Sequence, residues 1–205
     1  MPRKQRPLDR DDSIVRDASL IVIASEDTYA VDHYFQRFHT TRVRVRVLPT
    51  MGGCSAPTAV IARLDEYAKE YEIGLGDELW VCIDCDRWPP SVLNKVIAEC
   101  HQKSYRIAIS IPCFELWIYL HFGDAPATTG ITCADMTNRL TAHMPGYNKQ
   151  AISRVQLTLA QVEQAIARAR MLPNPKLLKR GVAATGLHEV MASLQKREPS
   201  LRLRQ

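Results

Sequence analysis

The sequence predicts an α/β fold: a small, doubly wound, mostly parallel sheet with helices on both faces, followed by a helical C-terminal appendage. Three observations carry this. Short, β-branched, nearly continuous apolar runs occur at Ser19–Ala24 (SLIVIA), Glu78–Asp84 (ELWVCID) and Tyr105–Ile109 (YRIAI), as expected of strands buried on both faces. Helix-period segments of crossover length alternate with them, which argues for right-handed βαβ connections. Beyond Pro112 the strand signal stops and helical periodicity takes over.

Residues 1–17 mix charges of both signs with two prolines and read as a loose arm. The first strand, Ser19–Ala24, ends at Ser25-Glu26-Asp27. Ala30, Val31, Tyr34, Phe35 and Phe38 then recur at helical spacing. Thr41–Leu48 alternates strictly, with Val43, Val45 and Val47 on one face and Arg42, Arg44 and Arg46 on the other, so it is a half-exposed strand near a sheet edge. Met51–Ser55 is a loop. Ala59, Ile61, Ala62, Leu64, Tyr67, Ala68 and Tyr71 make a helix that ends near Gly74. After the strand Glu78–Asp84, Asp86–Pro90 loops into a helix that Ser91 is placed to cap, carrying Leu93, Val96, Ile97 and Cys100. Tyr105–Ile109 is the fourth strand. In the helical part Phe114, Trp117, Ile118 and Phe122 share a face. Thr132 with Asp135 forms a capping box ahead of Met136 and Leu140. Val155, Leu159, Val162, Ile166 and Ala169 define a long amphipathic helix, and Leu187, Val190, Met191 and Leu194 the last one. Pro173, Pro175, Lys176, Lys179 and Arg180 lie between these two. The division is therefore an arm (1–17), an α/β core (18–122) and a basic helical appendage (123–205) packed on the core.

A chain of 205 residues buries roughly 70% of its unfolded surface and needs no disulfide or metal merely to fold. Its 46% hydrophobic and 24% charged residues are those of an ordinary globular protein, which excludes disordered and collagenous classes. The longest apolar stretch, Phe114–Phe122, is too short to span a bilayer, and MPRKQRPLDRDD has no apolar segment behind it to make a secretory signal. The expectation is a cytoplasmic protein with no membrane association. Six cysteines in apolar segments then read as reduced, buried thiols. Cys82 and Cys85 form a CxxC pair, but no second ligand pair follows at zinc spacing. Residues 1–122 hold 15 Lys+Arg against 17 Asp+Glu, while residues 123–205 hold 12 against 5. An acidic site beside a basic appendage suits a metal-dependent enzyme acting on a polyanion; basic residues that merely solubilise helices produce the same split.

In an open parallel sheet ligands collect beyond the carboxyl ends of the strands, where the winding reverses. Glu26 and Asp27 fall at the end of the first strand, Asp84 and Asp86 at the end of the third. Alternation puts Asp84 and Asp86 on one side and Cys85 on the other. Three carboxylates gathered there repel one another unless a cation sits between them, and hard oxygen ligands select Mg²⁺ or Mn²⁺. Taken singly, each acid has a structural alternative: Glu26 as a cap on the following helix, and Asp84-x-Asp86 as a chance loop pattern.

The segments LIVIASEDTYAVDHYF, LWVCIDCDRW and ISIPCFELWIYLHF resemble successive motifs of the RloB-like family, bacterial proteins with a TOPRIM-type core related to the overcoming-lysogenization-defect (OLD) nucleases. The similarity runs from Leu20 to Phe122 and more thinly through Gly146-Tyr147-Asn148-Lys149 to Thr185-Gly186-Leu187-His188. It implies that Glu26, Asp84 and Asp86 bind metal and that Pro112, Cys113, Phe114, Glu115, Trp117 and His121 form a helix beside the site. The chain departs from the pattern at Asp27, where the family has Gly, and at Ala30-Val31, where it has Thr-Glu. Asp27 in that place either joins the metal or impedes phosphate access.

The resemblance implies metal-assisted phosphodiester hydrolysis in anti-phage defence, alongside a partner ATPase of the AAA or ABC type, with RNA, tRNA and DNA open as substrates and the oligomeric state open. Glu26, Asp84 and Asp86 hold Mg²⁺ or Mn²⁺, with Asp27 or Glu115 completing any second site. Lys149, which matches a family lysine, is the first choice for the cation that neutralises the developing phosphorane charge, and Arg87 the second. Glu115 paired with Lys149 or Arg87 is also a purely structural ion pair. His121 reads as a satisfied packing histidine. Tyr29 and Trp88 offer stacking surfaces for bases, whereas Trp80 reads as core. Arg42, Arg44 and Arg46 offer a phosphate track or a guarded sheet edge. The alternative function is a TOPRIM-like subunit that binds nucleic acid or the ATPase without turnover. Receiver and haloacid-phosphatase readings lack, respectively, a Lys-Pro signal after a fifth strand and the residues required after the DxD.

Overall fold

Five strands form one sheet in the spatial order β3 (Val43–Leu48), β1 (Ser19–Ser25), β4 (Glu78–Asp84), β5 (Arg106–Ile111) and β6 (Ala184–Thr185). The first four are parallel, and β6 runs antiparallel to β5. The structure, a computed structural model, describes residues 3–4, 19–27, 29–50, 54–127, 129–149, 152, 156–179 and 181–204. Most of the expected N-terminal arm, Met51–Gly53, Val155 and Arg180 lie outside the described residues. The chain is a mixed α/β protein with a mostly parallel sheet, as its sequence predicts.

The winding reverses between β1 and β4. From β1 the chain passes through α1 (Ala30–Phe35) to the edge strand β3, then through α2 (Pro57–Glu70) back across to β4, and on through α3 (Pro90–Gln102) to β5. The two faces of the sheet carry different clusters. Leu20, Val22, Leu79, Val81, Ile107 and Ile109 pack beneath Leu64 of α2 and Leu93 of α3. Ile21, Ile23, Trp80, Cys82 and Ala108 face α1, the short helix α4 (Phe114–Tyr119), α5 (Cys133–His143), α6 (Leu159–Arg170) and α7 (Leu187–Arg197). Both faces of β1 and β4 are thus buried, which is why their sequences read as continuous rather than alternating apolar runs.

Several expectations are corrected. The first helix stops at Phe35, and Phe38 instead begins β2 (Phe38–His39), paired antiparallel with β7 (Arg202–Leu203); the end of the chain competes for this segment. Ser91 does not cap α3: Pro90, with its preset φ, starts the helix after Pro89. Tyr71 lies just past the end of α2, and Leu159 is exposed at the first turn of α6. Cys54 is exposed and Cys133 half-buried, so four of the six thiols are buried. The Thr132–Asp135 capping box is present, and α6 has a second one in Thr158 and Gln161.

The C-terminal segment is built into the core. β6 extends the sheet beyond β5, and Gly186 allows the turn into α7 to pass close over the strand: a Cβ there would lie 3.0 Å from Ala108 Cα. At the opposite end of the sheet the buried Glu78 carboxylate accepts from Arg197 of α7 at 2.7 Å, Arg106 at 3.0 Å and the Trp80 indole at 2.9 Å. The buried Glu198 carboxylate accepts the backbone N–H groups of Thr41 and Arg42 at 2.6 and 2.7 Å, joining the last turn to the approach to β3. No helix among the described residues is long and apolar enough to cross a membrane.

Candidate active site

Glu26 and Asp27 directly follow β1, Asp84 is the last residue of β4, and these two strands are neighbours on either side of the reversal. The acids read from the sequence therefore lie at the place where an open parallel sheet leaves a crevice. Alternation along β4 turns Asp84 to the same face as Trp80 and Cys82, and so toward α1 and α4. Cys85 packs into the opposite apolar layer. The two CxxC thiols thus sit on different faces of the sheet.

Five carboxylates gather here. Asp84 is pushed well above the usual aspartate range, by burial first and then by the charges of Glu115 and Glu26. Glu26 is raised to about 7, chiefly by burial; the Trp88 indole, which donates to its Oε1 at 2.9 Å, opposes the shift. Glu26 does not cap α1. That role falls to Asp27, whose Oδ1 accepts the backbone N–H groups of Tyr29 at 2.7 Å and Ala30 at 2.5 Å. Its Oδ2 lies 2.7 Å from Lys149 Nζ. Burial works to raise Asp27, and these donors outweigh it, leaving the carboxyl below its ordinary value. Glu115, buried on α4, is 3.8 Å from the same ammonium. Burial acts to lower Lys149, and the Glu115 and Asp27 carboxylates more than reverse this, so the lysine stays charged. Asp86 is exposed, accepts the Cys133 thiol at 3.2 Å, and has Arg87 Nε at 4.0 Å.

The sequence-predicted acids are thus neighbours, but their side chains are turned to different partners. Among the described residues no three Asp, Glu, His or Cys side chains converge tightly enough to hold an ion. Their chemistry nonetheless fits a hard divalent cation: all donors are oxygens, and the cluster faces few cations beyond Lys149 and the exposed Arg87. Crowding and partial burial without added positive charge favour the protonated form of a carboxyl, which is the direction in which Glu26 and Asp84 are shifted. A recess of about 10 Å³, large enough for one water molecule, lies among Ser25, Glu26, Asp27, Asp84, Ser110 and Phe114. Its floor includes the Ser110 hydroxyl, 3.1 Å from that of Thr185 on β6.

The remaining candidates separate. His121 is buried between the Tyr34 hydroxyl at 3.1 Å and the Trp117 carbonyl at 3.0 Å, and burial lowers it to about 4. Trp80 is core, Tyr29 is half-exposed beside Asp27, and Arg46 lies over the rings of Tyr67 and Tyr71 at 5.5 and 5.8 Å. Two features beside the acids are not legible in the sequence, which offers Trp88 only as a stacking surface and Tyr147 only as part of the Gly146–Lys149 resemblance. The hydrogen bond of Trp88 to Glu26 spans the reversal and leaves no local signal. Tyr147 is buried beside the acids; burial and then Glu115 push its phenol up, so it keeps its proton.

The family model described as RloB-like protein matches residues 21–194. No curated protein and no solved structure matches the chain.

Proposed function

The chain belongs to the RloB-like protein family, and from that premise together with the acid cluster we propose that it is a Mg²⁺- or Mn²⁺-dependent nuclease with a TOPRIM-like core, hydrolysing phosphodiesters of RNA or DNA. The observation that carries the reading is Asp84: a half-buried carboxyl at the reversal of the sheet, shifted upward in the company of Glu26 and Glu115, with the exposed Lys149 ammonium as the nearby cation. In this proposal Glu26, Asp84 and Asp86 hold the ion, and Glu26 turns from Trp88 to do so. A divalent cation bound there supplies polarisation of the phosphoryl oxygen and a water of lowered pKa. Asp27 fixes the start of α1 and, with Glu115, aims the Lys149 ammonium, which neutralises charge building on the phosphoryl oxygens. We extend the proposal to a cytoplasmic role in anti-phage defence with a partner ATPase.

The test is cleavage of RNA, tRNA and DNA by the full chain with Mg²⁺ or Mn²⁺, alone and with an ATPase partner. Asp84→Asn is expected to lower the rate by at least 100-fold; equal rates in the two proteins would remove the reading. One observation favours a second reading, a TOPRIM-like subunit that binds without turnover: both Asp27 oxygens are engaged and, among the described residues, no three acids converge. It predicts nucleic-acid or ATPase binding that Asp84→Asn leaves unchanged, and no turnover with either metal.

A further inference from the structure

Tyr147 is a buried polar group at the site to which the proposed reaction gives no task. Its side chain is only 9% exposed and packs in the cluster that includes Phe114 and Trp117 of α4, yet among the described residues its hydroxyl has no hydrogen-bond partner. The charges that act on it most are Glu115 and Asp27, with Cys113 and Asp84 behind them, so the ring lies close to the acid cluster. Leaving a buried hydroxyl unpaired is unfavourable, and phenylalanine would fill the same apolar volume without that penalty. Two residues on, Lys149 places its ammonium 2.7 Å from Asp27 and 3.8 Å from Glu115. The turn after Gly146 (φ 75°) therefore carries a neutral O–H donor and a charged N–H donor two residues apart beside the same acids.

A donor without an acceptor calls for an acceptor brought by the ligand. Asp27, Glu26, Glu115 and Asp86 have partners of their own, whereas a phosphate group offers several free oxygens and favours an ammonium beside a hydroxyl. We propose that Tyr147 contacts the substrate, its hydroxyl donating to a non-bridging phosphate oxygen seated next to Lys149. The choice of ligand rests on the phosphodiester reading above; the unpaired hydroxyl does not. Because the phosphate would lie near carboxylates, it binds together with a divalent cation.

The experiment is a ³¹P NMR titration of inorganic phosphate, with Mg²⁺ present, against the full chain and its Tyr147→Phe variant. The variant is expected to bind phosphate about tenfold more weakly, as for a lost hydrogen bond to a charged group. It should melt at the wild-type temperature or above, a result that a merely structural hydroxyl would not give. Equal phosphate affinity in the two proteins overturns the assignment, as does a wild-type chain that binds no phosphate. Cleavage is read separately. Tyr147-dependent phosphate binding without cleavage of any nucleic acid removes the hydrolytic reading and leaves this one; cleavage with Tyr147-independent phosphate binding does the reverse.

Discussion

The Trp88 indole N–H donates to Glu26 across the reversal of the sheet, tying the loop after β4 to the end of β1 at 2.9 Å. Trp80 and Trp117 are fully buried in the core, so Trp88 is a local reporter of where Glu26 points. If Glu26 turns to hold an ion, Mg²⁺ should shift the tryptophan emission of the wild-type protein. The shift should vanish in both Trp88→Phe and Glu26→Gln. Emission that ignores Mg²⁺ in the wild type would count against Glu26 as a ligand.

Asp84 should be a stability liability in the cation-free chain. Its charge is half-buried among other acids, and a neutral isostere relieves both desolvation and repulsion. Asp84→Asn is expected to raise stability to urea by about 1–2 kcal/mol at pH 8 without divalent cation. A variant less stable than wild type would mean that the carboxylate has a compensating partner.

His121 sets a pH dependence. Its folded pKa, about 4, lies below the usual histidine value near 6.5. The unfolded chain therefore binds the extra proton first as pH falls. The contribution to stability is fully present above about pH 6.5, declines through the window between the two values, and is gone below about pH 4. The full span is about 3 kcal/mol. Urea midpoints measured from pH 8 to pH 4 should fall accordingly, and His121→Phe should flatten that slope.

Glu78 is a buried carboxylate held by Arg197, Arg106, Trp80 and Ser193. Removing it leaves Arg197 facing a buried gap, so Glu78→Ala is expected to cost about 3 kcal/mol and to loosen α7. Hydrogen exchange should then rise along α7 first. Uniform loss over the whole chain would show that the clamp belongs to the global unit instead.

The sequence revealed those features that need only local signals. β1 and β4 are apolar throughout because both of their faces are covered, and their ends point to Glu26 and Asp84 as candidate site residues. The Thr132–Asp135 cap was legible because its two partners sit three residues apart. Phe38 misled because an apolar residue at helical spacing fits a strand just as well, and only its distant partner Leu203 decides. β6 is two residues long and leaves no periodicity. Lys149 is pointed to only by the family resemblance, and the bond of Trp88 to Glu26 and the place of Tyr147 beside the acids leave no local signal, because each depends on which distant group the side chain meets.

The short strand β6 has a consequence for how the protein is divided. A fragment ending at residue 122 would keep Glu26, Asp27, Asp84, Asp86 and Glu115, but it would lose the hydrogen-bonded cover on β5 and the Thr185 hydroxyl beneath the recess. Such a piece would bare an unpaired sheet edge and a greasy flank where α7 had rested, both invitations to aggregate. The acidic cluster is therefore not a transplantable cassette: whoever moves it must carry the tail along.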